Sequence, residues 1–197
     1  MSYNINNNIR EVFALQKILV VVDMQNDFID GSLGTDEAKK IVPAVVNKIN
    51  NFAGDIYATK DTHYEDYLTT SEGIKLPVEH CIRDTSGWEI NNEVEAALSS
   101  YSIKPDNMLT YVLKPTFGST DLVYLIEEYL EEYEEEDLYI ELVGLCTDIC
   151  VVSNALLLKA HFPSAKICVD SSCCAGVTPE THEAALTTMR MCQIDVI

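Results

Sequence analysis

Residues 17–23 read Lys17-Ile18-Leu19-Val20-Val21-Val22-Asp23, an unbroken aliphatic and β-branched run closed by a carboxylate. A strand with one wet face alternates apolar and polar residues. This one offers apolar side chains to both faces, as a parallel strand covered above and below requires. Comparable runs recur at 55–61, 108–114, 138–145, 166–170 and 193–197. Between them, apolar residues at helical spacing predict helices over 36–52, 89–100, 119–135, 148–161 and 179–191. Two helix starts carry their own signals: Thr178-Pro179-Glu180 supplies a cap and a first-turn proline, and Ser119-Thr120-Asp121 supplies a cap. Strand–helix alternation of this kind predicts a three-layer α/β sandwich, with a six-stranded, mainly parallel sheet and helices on both faces. With no repeat or linker in the pattern, residues 17–197 read as a single domain preceded by an Asn-rich extension, 1–16.

The chain's 197 residues are enough for one substantial core, and 47% hydrophobic against 23% charged residues is a globular balance. Its longest apolar runs are too short to span a bilayer, and MSYNINNNIRE at the start lacks a basic-then-apolar signal. The expectation is a cytoplasmic protein without membrane association. A net charge of −19 repels phosphate backbones, which argues against nucleic acid as a partner. Part of that charge is local: Glu127-Glu128, Glu131-Glu132 and Glu134-Glu135-Glu136-Asp137 read as a solvated helix face. Seven cysteines, an odd number without an export signal, are expected as free thiols. No paired CxxC spacing points to a thiolate zinc site.

In an open parallel sheet, ligands bind beyond the carboxyl ends of the strands. The first strand ends at Asp23, the second at Asp61 and the third at Lys114, while the fourth runs into GLCTDIC, residues 144–150. A carboxylate, an amine and a thiol thus converge on one sheet edge. Cys150 falls in the first turn of the following helix, where free N–H groups, the helix dipole and a nearby Lys114 would favour a thiolate. Asp23 could then take its proton, and the N–H groups of Cys146 and Cys150 could hold an oxyanion. On spacing alone, Cys150 as a small buried apolar residue and Lys114 as an exposed one stand as the other reading. Asp61 and His63, spaced Asp-x-His, can face one ion, with His80 further along a stretch, 62–88, that shows no clear element.

VVVDMQNDF, YATKDTH, VLKPTFGST and GLCTDICV, in this order and at these intervals, resemble the motifs of the isochorismatase-like cysteine hydrolases, the nicotinamidases in particular. The resemblance runs from about Lys17 to the C-terminus. It implies an isochorismatase-like, Rossmann-like fold and an Asp23/Lys114/Cys150 triad, with an oxyanion hole at Cys146 and Cys150 after a cis peptide between Leu145 and Cys146. It also implies one divalent ion on Asp61, His63, Glu72 and His80: Thr69 stands where many members place a second histidine, and Glu72 matches a glutamate that some bacterial members supply from the same loop. Mixed nitrogen and oxygen donors suit zinc, iron(II) or manganese. Phe28 matches an aromatic that stacks on a pyridine ring, and Phe117 is a candidate pocket wall.

The activity implied is hydrolysis of nicotinamide to nicotinate and ammonia through a cysteine thioester, in NAD salvage, by a dimer or tetramer. The same triad on another small amide or an N-carbamoyl compound is the nearest alternative. A non-catalytic metal- or partner-binding domain is a third. His161 is expected to pair with the last carbonyls of its helix, His182 to lie at the surface, and Trp88 to anchor the end of the long loop.

Overall fold

The structure, a computed structural model, describes residues 15–129 and 134–197. Most of the expected extension 1–16 and part of the helix expected over 119–135 lie outside those residues. Among the described residues, six strands form the sheet: β1 Gln16–Val22, β2 Asp55–Asp61, β3 Leu109–Lys114, β4 Leu138–Leu145, β5 Lys166–Ala175 and β6 Asp195–Val196. They lie in the order β3-β2-β1-β4-β5-β6, and each adjacent pair is parallel. The helices are α1 Asn26–Ile29, α2 Asp36–Asn51, α3 Ser71–Lys75, α4 Asn92–Ser102, α5 Thr120–Tyr129, α6 Val152–His161 and α7 Pro179–Met191.

The double burial read from residues 17–23 takes a simple form. Successive strand side chains point to opposite faces. Ile18, Val20 and Val22 pack with Leu122 and Ile126 of α5, Leu158 of α6, and Leu186 and Met189 of α7. Leu19 and Val21 pack with Val45 and Ile49 of α2, and Val94, Leu98 and Tyr101 of α4. Each fully buried aliphatic side chain contributes roughly 1.5–3 kcal/mol, so a polar residue anywhere within 18–22 would weaken one of two cores. The expected caps close their helices. Ser119 Oγ accepts the Leu122 N–H at 3.1 Å, and Thr178 forms a capping box with Thr181 ahead of Pro179.

Two departures from the sequence reading have local causes. β5 continues past 170 to Ala175, through Ser171-Ser172, because the register against β4 shifts between Leu142 and Gly144. The stretch 62–88 holds only a 3-10 turn at Tyr67–Thr69 and the five-residue α3, elements too short for periodicity to reveal.

On the α2 face, one buried charge cluster spans three elements. Lys48 of α2 reaches Glu141 of β4 at 2.5 Å and Asp170 of β5 at 2.8 Å. Tyr139 donates to Glu141, and the N–H and hydroxyl of Ser172 donate to Asp170. Among the described residues, no helix is long and apolar enough to cross a membrane.

From β1 the chain winds outward through β2 and β3, and from β4 it winds the other way through β5 and β6. The gap beyond the carboxyl ends of β1 and β4 is therefore the topological switch point, where open α/β sheets form their clefts.

Candidate active site

The three side chains named for chemistry meet at that switch point. Lys114 Nζ lies 2.6 Å from Asp23 Oδ2, 3.4 Å from Cys150 Sγ and 3.5 Å from Asp61 Oδ1, and it donates to the Thr116 carbonyl. Asp23 and Lys114 are fully buried, so the reading of Lys114 as an exposed residue does not hold. Asp23 sits one residue past β1 at φ 47°, a left-handed conformation that a non-glycine residue adopts at a cost. Beyond β4, the Leu145–Cys146 peptide is cis. The chain then enters a single π turn, Thr147–Val151, which carries Cys150 into α6. Gly144 is required here: its φ is +115°, and a Cβ would stand 2.1 Å from the Val22 carbonyl oxygen.

Burial dominates the electrostatics. It pushes the Asp23 carboxyl up; Lys114 opposes the rise and Asp61 adds to it. Burial likewise pushes the Cys150 thiol well above its ordinary range, and Asp23 adds to this while Lys114 offsets only part. The sequence reading had the helix terminus and Lys114 favouring a resting thiolate. In the structure, desolvation by burial works against them and is the larger influence on the thiol. Burial alone would lower the Lys114 ammonium, yet Asp23, Cys150 and Asp61 carry it above its usual range.

A second constellation adjoins the first through Asp61. His63 Nε2 is 2.9 Å from Asp61 Oδ2 and 3.7 Å from Glu72 Oε1; His80 Nε2 is 3.5 Å and 3.6 Å from the same atoms. Donor atoms of Asp61, His63 and His80 lie within 4.8 Å of one another, so these three could hold a metal ion. His80 Nδ1 lies 2.8 Å from the Val78 carbonyl; donating there would leave Nε2 with its lone pair toward the cluster. Glu72 arrives from the first turn of α3, whose start is fixed by Thr70 accepting the Gly73 N–H. Burial would raise Asp61, but His63, His80 and Lys114 hold its carboxyl well below the carboxylate range, ionised as a cation requires.

The two aromatics go to different places. Phe28 is buried with its ring centroid 5.5 Å from that of His80. Phe117 is 45% exposed and, with His63, Tyr67, Glu72 and Thr116, lines a cavity of about 670 Å³. Trp88 ties the end of the long loop to the chain just beyond β1 and β2: its Nε1–H donates to Thr62 and its carbonyl accepts from Gln25. His161 pairs with Glu127 at 3.3 Å instead of with its own helix carbonyls. His182 is half-buried, its Nδ1 2.8 Å from Thr147 Oγ1 beside the π turn.

Several residues that shape the site carry no chemical signal of their own. Thr59, inside β2, donates to Asp23 Oδ1 at 2.6 Å and fixes the carboxylate. Tyr67 is fully buried with its ring 4.7 Å from His63 and 4.9 Å from His80. Gln25 accepts the Asp61 N–H at 2.7 Å and donates to the Asp61 carbonyl at 2.8 Å. The last was recoverable in principle, since a buried glutamine must find partners for both ends of its amide.

A doubly wound sheet with a cysteine, lysine and carboxylate at its switch point defines a class of hydrolase-like sites. The isochorismatase domain family matches residues 17–197, and the chain belongs to that family. It is 29% identical over 183 residues to an uncharacterized isochorismatase family protein, PncA, of Bacillus subtilis (strain 168), covering 88% of this chain and 93% of that one. It is 26% identical over 179 residues to a nicotinamidase of Saccharomyces cerevisiae, covering 71% and 80%. Its fold superimposes on the crystal structure of the pyrazinamidase of Pyrococcus horikoshii in complex with zinc, with a TM-score of 0.71 and 25% identity, covering 92% and 98%.

Proposed function

We propose that this protein is an amidohydrolase that converts nicotinamide to nicotinate and ammonia through a cysteine thioester. The observation that carries the reading is the position of Lys114, 2.6 Å from Asp23 and 3.4 Å from Cys150, with Asp61 of the histidine cluster 3.5 Å away. The likeness to named nicotinamidases supports the amide as substrate.

In this reading Asp23 takes the Cys150 proton, and the sulfur attacks the carboxamide carbon. Desolvation makes Asp23 a stronger base than a solvated carboxylate, and Lys114 compensates the negative charge that passes between oxygen and sulfur. The N–H groups of Cys146 and Cys150 face the oxyanion. Asp23 returns the proton to the leaving nitrogen, ammonia departs, and a thioester remains. Water, deprotonated by Asp23, then releases nicotinate and the thiol. Asp61, His63 and His80, with Glu72 beside the two histidines, would hold a divalent ion, zinc by analogy with the superimposed pyrazinamidase. When bound, that ion supplies a Lewis-acid anchor for the pyridine nitrogen. Phe28 packs against the ring and Phe117 lines its approach. The reading extends to a cytoplasmic role in NAD salvage and to a dimeric or tetrameric assembly.

The deciding experiment measures ammonia release from nicotinamide by the purified protein, by Cys150→Ala and after chelation. Turnover abolished in Cys150→Ala is the expected result, with chelation reducing turnover and added zinc restoring it. Full activity of Cys150→Ala would remove the nucleophile, and turnover of a different small amide in place of nicotinamide would reassign the substrate.

A further inference from the structure

The functional reading uses Lys114 and Cys150 as a pair, yet they reside on different segments that no strand pairing joins. Lys114 closes β3 and is followed by the irregular stretch 115–119; Cys150 sits in the π turn ahead of α6. Their 3.4 Å separation needs something to hold the two segments together.

Asn154 meets that need. It lies one turn beyond Cys150 on α6 and is fully buried. Its Oδ1 accepts the Ser119 N–H at 2.9 Å. Its Nδ2 donates to the Phe117 carbonyl at 3.1 Å and to the Cys150 carbonyl at 2.8 Å. One side-chain amide thus satisfies both ends of the 117–119 segment and the backbone of the cysteine itself. The lysine end is fixed within the same stretch, since Lys114 Nζ donates to the Thr116 carbonyl. Gly118 completes the fit: a Cβ there would press on the Ser153 carbonyl at 3.3 Å, so the stretch lies against α6 without a side chain between them.

We infer that Asn154 is a positioning residue that sets the distance between the Lys114 ammonium and the Cys150 sulfur. This rests on the cysteine–lysine reading of the site. A residue of this kind touches neither substrate nor metal ligand. Its loss therefore falls mainly on the chemical step and leaves metal loading in place, with substrate binding touched only through the Phe117 backbone that it also holds. A displacement of about 1 Å between reacting groups can lower a rate by as much as about 100-fold.

The test compares Asn154→Ala and Asn154→Ser with the wild type, each metal-loaded. Four quantities are read: kcat and KM for nicotinamide, bound metal by elemental analysis, and the rate of Cys150 alkylation by iodoacetamide, followed by peptide mass spectrometry. We expect kcat to fall about 10- to 100-fold in Asn154→Ala with KM and metal content within about twofold. Cys150 alkylation should slow in parallel, and Asn154→Ser should lie between. Should the alanine protein not fold, the serine protein decides. Wild-type kcat and wild-type alkylation in either folded variant would overturn the inference. Alkylation needs no substrate, so a wild type inert toward nicotinamide would overturn the proposed reaction, while altered Cys150 alkylation in the Asn154 variants would still support the positioning role.

Discussion

Lys48→Met tests whether the buried charge cluster on the α2 face holds the sheet to its helices. Lys48 is the cation for two buried carboxylates, Glu141 with a side chain 7% exposed and Asp170 at 12%. Methionine keeps the length and apolar stem of lysine while deleting the charge. Breaking a buried ion pair from one side costs about 3–5 kcal/mol, because it leaves an uncompensated charge behind. Lys48 itself is 25% exposed, and a cavity of about 560 Å³ opens beside it, Tyr139 and Glu141, so water can reach the orphaned groups. That screening brings the expected loss below this range, to about 2–3 kcal/mol. With a urea slope of about 2–3 kcal/mol per molar, the unfolding midpoint at neutral pH should fall by about 1 M.

The pH dependence follows from the sign of the shift. Burial opposes ionisation of Asp170, but Lys48 and Ser172 hold its carboxyl below the ordinary value. Its stabilising contribution is therefore present above the ordinary carboxylate pKa of about 3.9 and is lost as pH falls through the lower folded value. The gap between wild type and Lys48→Met should narrow as pH drops below about 4. Combining Lys48→Met with Glu141→Gln and Asp170→Asn removes the stranded charges and should recover stability relative to Lys48→Met alone. A midpoint unchanged by Lys48→Met, or a triple variant weaker than the single one, would refute this account.

Three further outcomes are expected. Thr59→Val deletes the hydroxyl that donates to Asp23 while keeping the strand's shape, and should lower kcat about tenfold with KM little changed, read by ammonia release. Gly144→Ala places a methyl on the Val22 carbonyl at a positive φ and should destabilise by more than about 3 kcal/mol, seen as insolubility or a large fall in Tm. Cys146→Ala keeps the backbone N–H and should retain most activity in the assay that Cys150→Ala fails.

What could be read in advance tracks how each element is stabilised. β2 and β4 match their expected bounds end to end and β1 is offset by one residue; in β1 and β4 burial on both faces shows as a nearly solid hydrophobic block, whereas β2 carries polar residues at Thr59, Lys60 and Asp61 where it enters the site. The capped helix starts at Ser119 and Thr178 were equally legible, since capping is local chemistry. β5 was read five residues short because Asp170, Ser171 and Ser172 break its apolar run, and their polarity is matched by partners on α2 and at Ile197. The strand-end rule brought Asp23, Asp61 and Lys114 to one edge without any coordinates. It could not reveal Thr59, Tyr67 or Asn154, ordinary residue types whose roles exist only through long-range contact. Nor could it set the state of the Cys150 thiol, which depends on how completely the fold excludes water.

Gln25 illustrates a different kind of economy. Its side-chain amide accepts the Asp61 N–H and donates to the Asp61 carbonyl, the two bonds a neighbouring strand would make. It acts as a surrogate peptide group, lengthening the β1–β2 ladder by one rung after the main chain of β1 has turned away. The backbone is thereby released at Asp23 to aim a carboxylate inward, while the end of β2 stays paired and rigid beneath Asp61. The two residues between Val22 and Gln25 then have a fixed span. An insertion or deletion there would remove the false rung and loosen both halves of the site together, even with every reactive side chain intact.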